Sequence, residues 1–392
     1  MPPRCVLNVS RQAGRNASTR FGWTVVIRWF RTHESLSLLL FLWVVTVGFA
    51  ARDFTLASIT VRDYLNYWLA PQAVWDGVNP YDVTAYIDYG LAYLPRGNVQ
   101  QFNFTYPPHA LFLFAPFAVL PPVPAFLAWD VVSLGAFYLA ARPLLPKGLP
   151  AFLALLSPAT FICLEFGQTG LLSSALFLMA ARGSGVSAAV LTFKPHLGLL
   201  VVPALLLKGR KPVWIAVVVT ILLIVSSQIL FGHWEEFLDH ARGYQGRQIF
   251  DVELKNMWYI VGTTPAIGYG IRGFVIYAVV ATIVLIRNFN VFTAATATFL
   301  ISPYGLHYDM SAACLGFAVL IYSYWNDLPL WQRLIASLAY LAPIIVQFGT
   351  WWVPPIMLLG LFVQTQCFPG VQLTLKQNRL ALVNVNQSEP CN

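Results

Sequence analysis

The sequence predicts an all-α polytopic membrane protein, from composition, the length of its apolar runs and the placement of its charges. Of 392 residues, 58% are hydrophobic and only 10% charged, where a soluble domain carries about 25% charged residues. Apolar stretches near the bilayer-spanning length of about 20 residues recur along the chain. They lack the period-two alternation of a barrel strand, so helices are the expected spanning elements. The five cysteines, at 5, 163, 314, 367 and 391, show no metal or redox spacing and read as small apolar residues.

The net charge of +8 acts as a topology signal. Arg4, Arg11, Arg15, Arg20, Arg28 and Arg31 precede the first apolar run, which places residues 1–35 in the cytoplasm. That run, about 36–56, is long and shows no cleavage site, so it reads as an anchor helix rather than a signal peptide. A polar, aromatic outer loop is expected over 53–108. Helices are then expected near 109–121, 124–141, 150–166, 169–182, 186–207 and 213–231. The basic turn 208–212 is cytoplasmic by the same charge rule, and a second outer loop covers 232–260. Further helices follow near 263–286, 291–306, 309–325, 333–348 and 351–364. Residues 36–364 thus form one membrane domain of about 12 crossings, and 365–392 a cytoplasmic tail. Strict alternation strands Arg142, Lys147 and Arg182 outside, so the short helices at 150–182 are also compatible with a re-entrant pair lining a cavity.

Ten of the sixteen acidic residues fall in the two outer loops: Asp53, Asp63, Asp76, Asp82, Asp88, Glu235, Glu236, Asp239, Asp251 and Glu253. Loop solvation explains most of them, yet the polar chemistry sits on the outer side. GxxxxGK[ST] is absent, which removes one usual signal of a bound nucleotide.

The stretch RDYLNYWLAPQAVWDG, 62–77, has helical spacing that Pro71 is expected to interrupt. Asp63 and Tyr67 share a face, with Tyr64 and Trp68 beside them. A helix along the membrane surface is expected, its aromatics serving as headgroup anchors or as a platform for a sugar ring. GVNPYD gives a turn, where Asp76 and Asp82 have ready capping roles. FNFTYPP, 102–108, returns the chain to the membrane in extended form.

In their order, an aspartate after the first helix, DGVNPYD, TYPPHALFLFAPFAVLP (105–121), the GQ and FKP elements within 165–207, and ISPYGLHYDM (301–310) resemble glycosyltransferase family 87. No single motif is specific; their order and spacing, over roughly 36–325, carry the likeness. The resemblance implies a GT-C type helical bundle whose outer-face loop carries surface helices. It also implies transfer of mannose from a polyprenyl-phosphate carrier to a hydroxyl of a glycolipid or polysaccharide acceptor, at the outer face of the cell membrane. Asp63 occupies the place of the family's general base. One carboxylate suffices, because a sugar hydroxyl needs a base while a phosphate leaves without being protonated. Direct in-line attack inverts the anomeric carbon.

The leaving phosphate calls for preorganised cations and donors. Lys194 is the foremost candidate, read as lying inside an apolar helix, where a lysine is a functional hypothesis; snorkelling to an interface is the alternative. His307, Tyr308, His196 and Lys255 join it, as do Arg242 and Arg247 of the second loop with lower weight. Tyr67 and Gln168 are candidate contacts to sugar or phosphate, although the Gly167–Gln168 pair also suits helix packing. With no D-x-D motif, no metal and no cofactor are expected, and the lipid-linked donor enters as a substrate. The expected partners are membrane lipid, donor and acceptor; the chain is expected to be a monomer that binds no nucleic acid. Two other readings stand beside this one: a polytopic secondary transporter, against which no repeat of the first half appears in the second, and the same enzyme class using arabinose or glucose.

Overall fold

A computed structural model describes residues 33–51, 63–93, 104–242, 262–376 and 379–384. The expected Arg-rich head, Asp53, Arg247, Asp251, Glu253 and Lys255 lie outside the described residues.

The chain begins with α1 (Glu34–Ala50), then α2 (Tyr64–Trp75) and α3 (Val83–Tyr93) of the first loop. A 3-10 turn at Pro108–Ala110 starts α4 (Leu111–Ala118), and α5 (Pro122–Ala141), α6 (Ala151–Leu155), α7 (Pro158–Phe166) and α8 (Gly170–Ala181) follow. Next come α9 (Gly185–Val190), α10 (Val201–Leu207), α11 (Arg210–Leu230) and α12 (Trp234–His240). The second half contains α13 (Pro265–Arg287), α14 (Val291–Ile301), α15 (Ser311–Tyr324), α16 (Leu330–Tyr340), α17 (Ala342–Ile345) and α18 (Val353–Cys367). Helix therefore occurs in each apolar segment the sequence marks.

Three helical stretches are long and apolar enough to cross a membrane, Pro122–Leu144, Arg210–Leu230 and Pro265–Arg287, and a fourth is the bent pair Leu330–Tyr340 and Ala342–Phe348, with a 65° break. Shorter apolar helices include Glu34–Ala50, Pro108–Ala118, Gly170–Ala181 and Val291–Ile301. The protein covers little of α11 and α13: Val218, Leu222, Ile229, Ile276, Val279 and Ile283 are all more than half exposed. An uncovered apolar wall of that extent requires lipid rather than water. The protein is a multi-pass helical membrane protein.

The sequence reading needs three corrections. First, α2 does not stop at Pro71 but continues to Trp75, and most of its side chains pack into the protein. Tyr64, Tyr67, Trp68 and Pro71 are buried, and the Trp68 indole donates to the Leu120 carbonyl at 2.9 Å. Packing on α4 and α5 outweighs the hydrogen bond that Pro71 removes. Second, 186–207 is not one helix. It breaks into 3-10 turns at Leu191–Phe193 and Pro195–Gly198, with Lys194 between them at φ −127° and ψ 72°. Pro195 accounts for the break, since its ring clashes with a helical residue before it. Third, the tail is not wholly helical or irregular: β1 (Val371–Lys376) pairs antiparallel with β2 (Arg379–Asn384), Val371 opposite Asn384.

The first loop keeps its expected turn. Asn79 Oδ1 accepts from the Tyr81 amide at 2.9 Å, and Asp82 Oδ1 caps α3 by accepting from Thr84 and Ala85, each at 3.1 Å. Asp76 accepts from the Tyr89 hydroxyl. Two of the rival acids are thus occupied locally. Tyr86 donates to the Asn66 carbonyl and Tyr81 to the Tyr106 carbonyl, tying α2, α3 and the return segment into one layer.

Candidate active site

Five short chain segments converge: the start of α2, the return segment before α4, the turn between α7 and α8, and two breaks in the apolar helices at 194 and 307–310. The α7–α8 turn lies at the centre. Gly167 ends α7 in the left-handed region at φ 61°, and a Cβ there would lie 2.6 Å from Tyr64 Cβ. Three residues on, a Cβ on Gly170 would lie 2.0 Å from the Tyr308 carbonyl oxygen. Both glycines are needed: the Tyr308 backbone closes on Gly170, while Gly167 combines a left-handed φ with the Tyr64 Cβ and the Phe126 ring against it.

Asp63 stands at the head of α2 without capping it, and its side chain is exposed. Gln168 Nε2 donates to Asp63 Oδ2 at 2.6 Å. The other end of the same amide, Oε1, accepts from the Tyr67 hydroxyl at 2.6 Å. A carboxylate only accepts, so this pairing fixes which way the amide points. Burial, reinforced by the Tyr106 phenol and the Asp63 carboxylate, holds the Tyr67 phenol well above its ordinary pKa of 10.0. Tyr67 therefore stays protonated and remains a donor. The network goes on through Tyr106, whose hydroxyl reaches Tyr67 at 3.4 Å and Thr169 Oγ1 at 3.1 Å.

Beyond Tyr106 lies a buried ion pair. Lys194 Nζ sits 2.7 Å from Asp309 Oδ1, with the side chains 6% and 1% exposed. The ammonium also lies over the rings of Tyr308, at 5.2 Å, and Tyr106, at 5.9 Å, both within cation–π range. Asp309 Oδ2 and His307 Nδ1 are buried with no hydrogen-bond partner among the described residues. The His307 ring packs beside Tyr308 at 5.4 Å, and His196 edges onto Tyr304 at 5.3 Å.

Asp63, Tyr67, Gln168, Lys194, His307 and Tyr308 thus fall in one region. Two of the expected roles change. Tyr67 is no platform for a sugar: its ring stacks on Phe114 at 5.1 Å and meets Tyr106 edge-on. Lys194 is not an unpaired cation but half of an ion pair. Arg242 stands apart: it is 78% exposed on its side chain, bonds Asp239 at 3.3 Å and makes no contact with the cluster. It borders a surface depression with Trp234 and Glu235. Among the described residues no three His, Cys, Asp or Glu side chains gather as a metal site.

Sequence reasoning missed Asp309, Tyr106 and Thr169. The signal for Asp309 was available: a lysine at membrane depth needs a counter-ion, and few acids lie outside the loops. Tyr106 and Thr169 gave none, since each belongs to the network only through the fold.

Chemically, the region offers one exposed carboxylate, gripped from one side by a neutral amide, beside a buried dipolar wall of phenols and an ion pair. Such a carboxylate can take a proton from a hydroxyl brought to its exposed side. No curated protein and no solved structure matches the chain. Residues 104–323, more than half of it, match the family model of glycosyltransferase family 87. That span holds Tyr106, Gln168, Lys194, His307 and Asp309, the greater part of the cluster, and the chain belongs to glycosyltransferase family 87.

Proposed function

We propose that this membrane glycosyltransferase moves mannose from a polyprenyl-phosphate carrier to a hydroxyl of a glycolipid or polysaccharide acceptor, with inversion and with Asp63 as general base. The observation that carries the reading is the Asp63 carboxylate, exposed at the edge of a buried polar network and held by Gln168 at 2.6 Å. General-base catalysis needs such a group, fixed in direction yet open to the acceptor hydroxyl, and contributes about 10²–10⁴-fold. His307, with a bare Nδ1, and Tyr308 are the proposed hydrogen-bonding partners of the leaving phosphate. Lys194, paired with Asp309, acts there as the positive end of a fixed ion pair over the Tyr308 ring. No cofactor enters this scheme.

In this reading the chain crosses the cell membrane about twelve times as a GT-C type bundle, with the Arg-rich head and the tail in the cytoplasm. The two acid-rich loops and the site then face outward, where lipid-linked donor and acceptor meet without leaving the bilayer. The exposed apolar faces of α11 and α13 support this setting. Arabinose or glucose in place of mannose would change pocket contacts and leave the chemistry intact.

The test uses membranes containing the wild type or Asp63→Asn, labelled polyprenyl-phosphate-mannose and a lipid extract of the host. Label passing to lipid or polysaccharide with the wild type, and lost in Asp63→Asn at equal protein level, supports the reading. Equal transfer by both assigns the base elsewhere, and no transfer by the wild type removes mannose as the sugar.

A further inference from the structure

Gln168 was expected to touch substrate. Its geometry says otherwise. The residue is 3% exposed, and both ends of its amide are taken, one by Asp63 and one by Tyr67. Its main chain is also held: its N–H donates to the Cys163 carbonyl at 2.9 Å, and its own carbonyl accepts from Cys163 Sγ at 3.1 Å. Trp129 Nε1 approaches the same carbonyl at 3.4 Å. The turn that carries it is wedged between Tyr64 and Tyr308 by two glycines. Each polar atom of its side-chain amide is thus engaged inside the network.

Resting on the reading of Asp63 as base, we propose that Gln168 is a positioning residue. With Tyr67 behind it, it aims the Asp63 carboxylate and fixes which oxygen faces the acceptor. The physical reason is leverage. Asp63 begins α2 with an exposed side chain, and a carboxylate in that place has several rotamers to choose among. A short hydrogen bond to Oδ2 from a buried, doubly anchored amide selects one of them. Tyr67 contributes because its stacking on Phe114 fixes the phenol, and the phenol fixes Gln168 Oε1. The arrangement is serial: the bond from Tyr67 reaches Asp63 through Gln168.

The prediction is a kinetic signature. A residue that binds donor changes KM when it is removed; one that aims a base changes kcat. A hydrogen bond to a charged group is worth about 10- to 100-fold. Full-length protein in lipid membranes is assayed for initial rates of mannose transfer against donor concentration, as wild type, Gln168→Met, Tyr67→Phe and the double variant. Gln168→Met is expected to lower kcat about 10- to 100-fold with donor KM within about twofold. Tyr67→Phe keeps the stacked ring and is expected to lower kcat by about 3- to 10-fold. The double variant should match Gln168→Met alone, because the two act in series. An unchanged kcat in Gln168→Met, a raised KM as its main effect, or independent multiplication of the two effects overturns the proposal. Should Gln168→Met fail to accumulate, Tyr67→Phe decides alone, and wild-type kcat in it overturns the proposal. Asp63→Asn runs alongside: if it transfers as well as wild type, the base assignment has failed; if it is inactive while both positioning variants are normal, only this inference has.

Discussion

The site contains two carboxylates whose surroundings differ, and the difference separates support from chemistry. Asp309 is buried and faces an ammonium at 2.7 Å. Asp63 is exposed and faces a neutral amide at 2.6 Å. A lysine beside a buried carboxylate offsets its charge, so the pair acts as a fixed part of the scaffold. An amide orients a carboxylate without cancelling its charge, so Asp63 stays available to a hydroxyl. The same residue type is thereby assigned to two tasks by its partner and its depth.

The largest effect that would break this comparison is on transfer. Asp63→Asn keeps the shape and removes the base, and transfer is expected to fall by at least about 100-fold. Its thermal stability in detergent, followed by loss of the monodisperse peak, should stay at the wild-type value. A parallel loss of stability would make Asp63 structural and erase the contrast with Asp309.

Next comes the buried pair. Lys194→Met leaves the Asp309 carboxylate buried and uncompensated, a change that costs about 3–5 kcal/mol. Thermal inactivation should move to markedly lower temperature. Removing both charges, as Lys194→Met with Asp309→Leu, should recover much of that stability. If the double variant is as unstable as the single, the pair is not the main term at this position. Transfer by the double variant then measures what the fixed charge contributes to the leaving phosphate.

A smaller effect is expected at the hinge of the network. Gly167→Ala places a Cβ 2.6 Å from Tyr64 Cβ at φ 61°. Overpacking with strain of this kind costs about 1–3 kcal/mol. Because Gln168 is the next residue, transfer should fall along with stability, and the measurement is both on one preparation. The smallest effect is at Arg242. It is solvent-exposed and bonded to an exposed Asp239, and such pairs contribute little. Arg242→Ala should leave transfer within about twofold and stability unchanged. A larger loss would bring α12 into the site.

Much was legible before any coordinates. Apolar runs set the positions of the helices, because a helix is the only way for one segment to satisfy its own backbone in lipid. The place of Asp63 after the first long run was legible, and so was the capping role of Asp82 from turn chemistry. The four-residue spacing of Asp63 and Tyr67 correctly put them on one face, since both reach Gln168. The role of Tyr67 was not legible. Whether an aromatic at a loop helix meets lipid, sugar or protein depends on what packs over it, and Phe114 lies 47 positions away.

By itself the sequence determined the class, the order of helices, the gathering of acids in two loops and the aspartate at the head of α2. Those follow from local composition and from periods of a few residues. Only the tertiary structure decided that Lys194 is answered by Asp309, 115 positions on, and Asp63 by Gln168, 105 positions on. Contacts at that separation depend on how helices pack, and two glycines on one turn, Gly167 and Gly170, allow the close approach that brings them together.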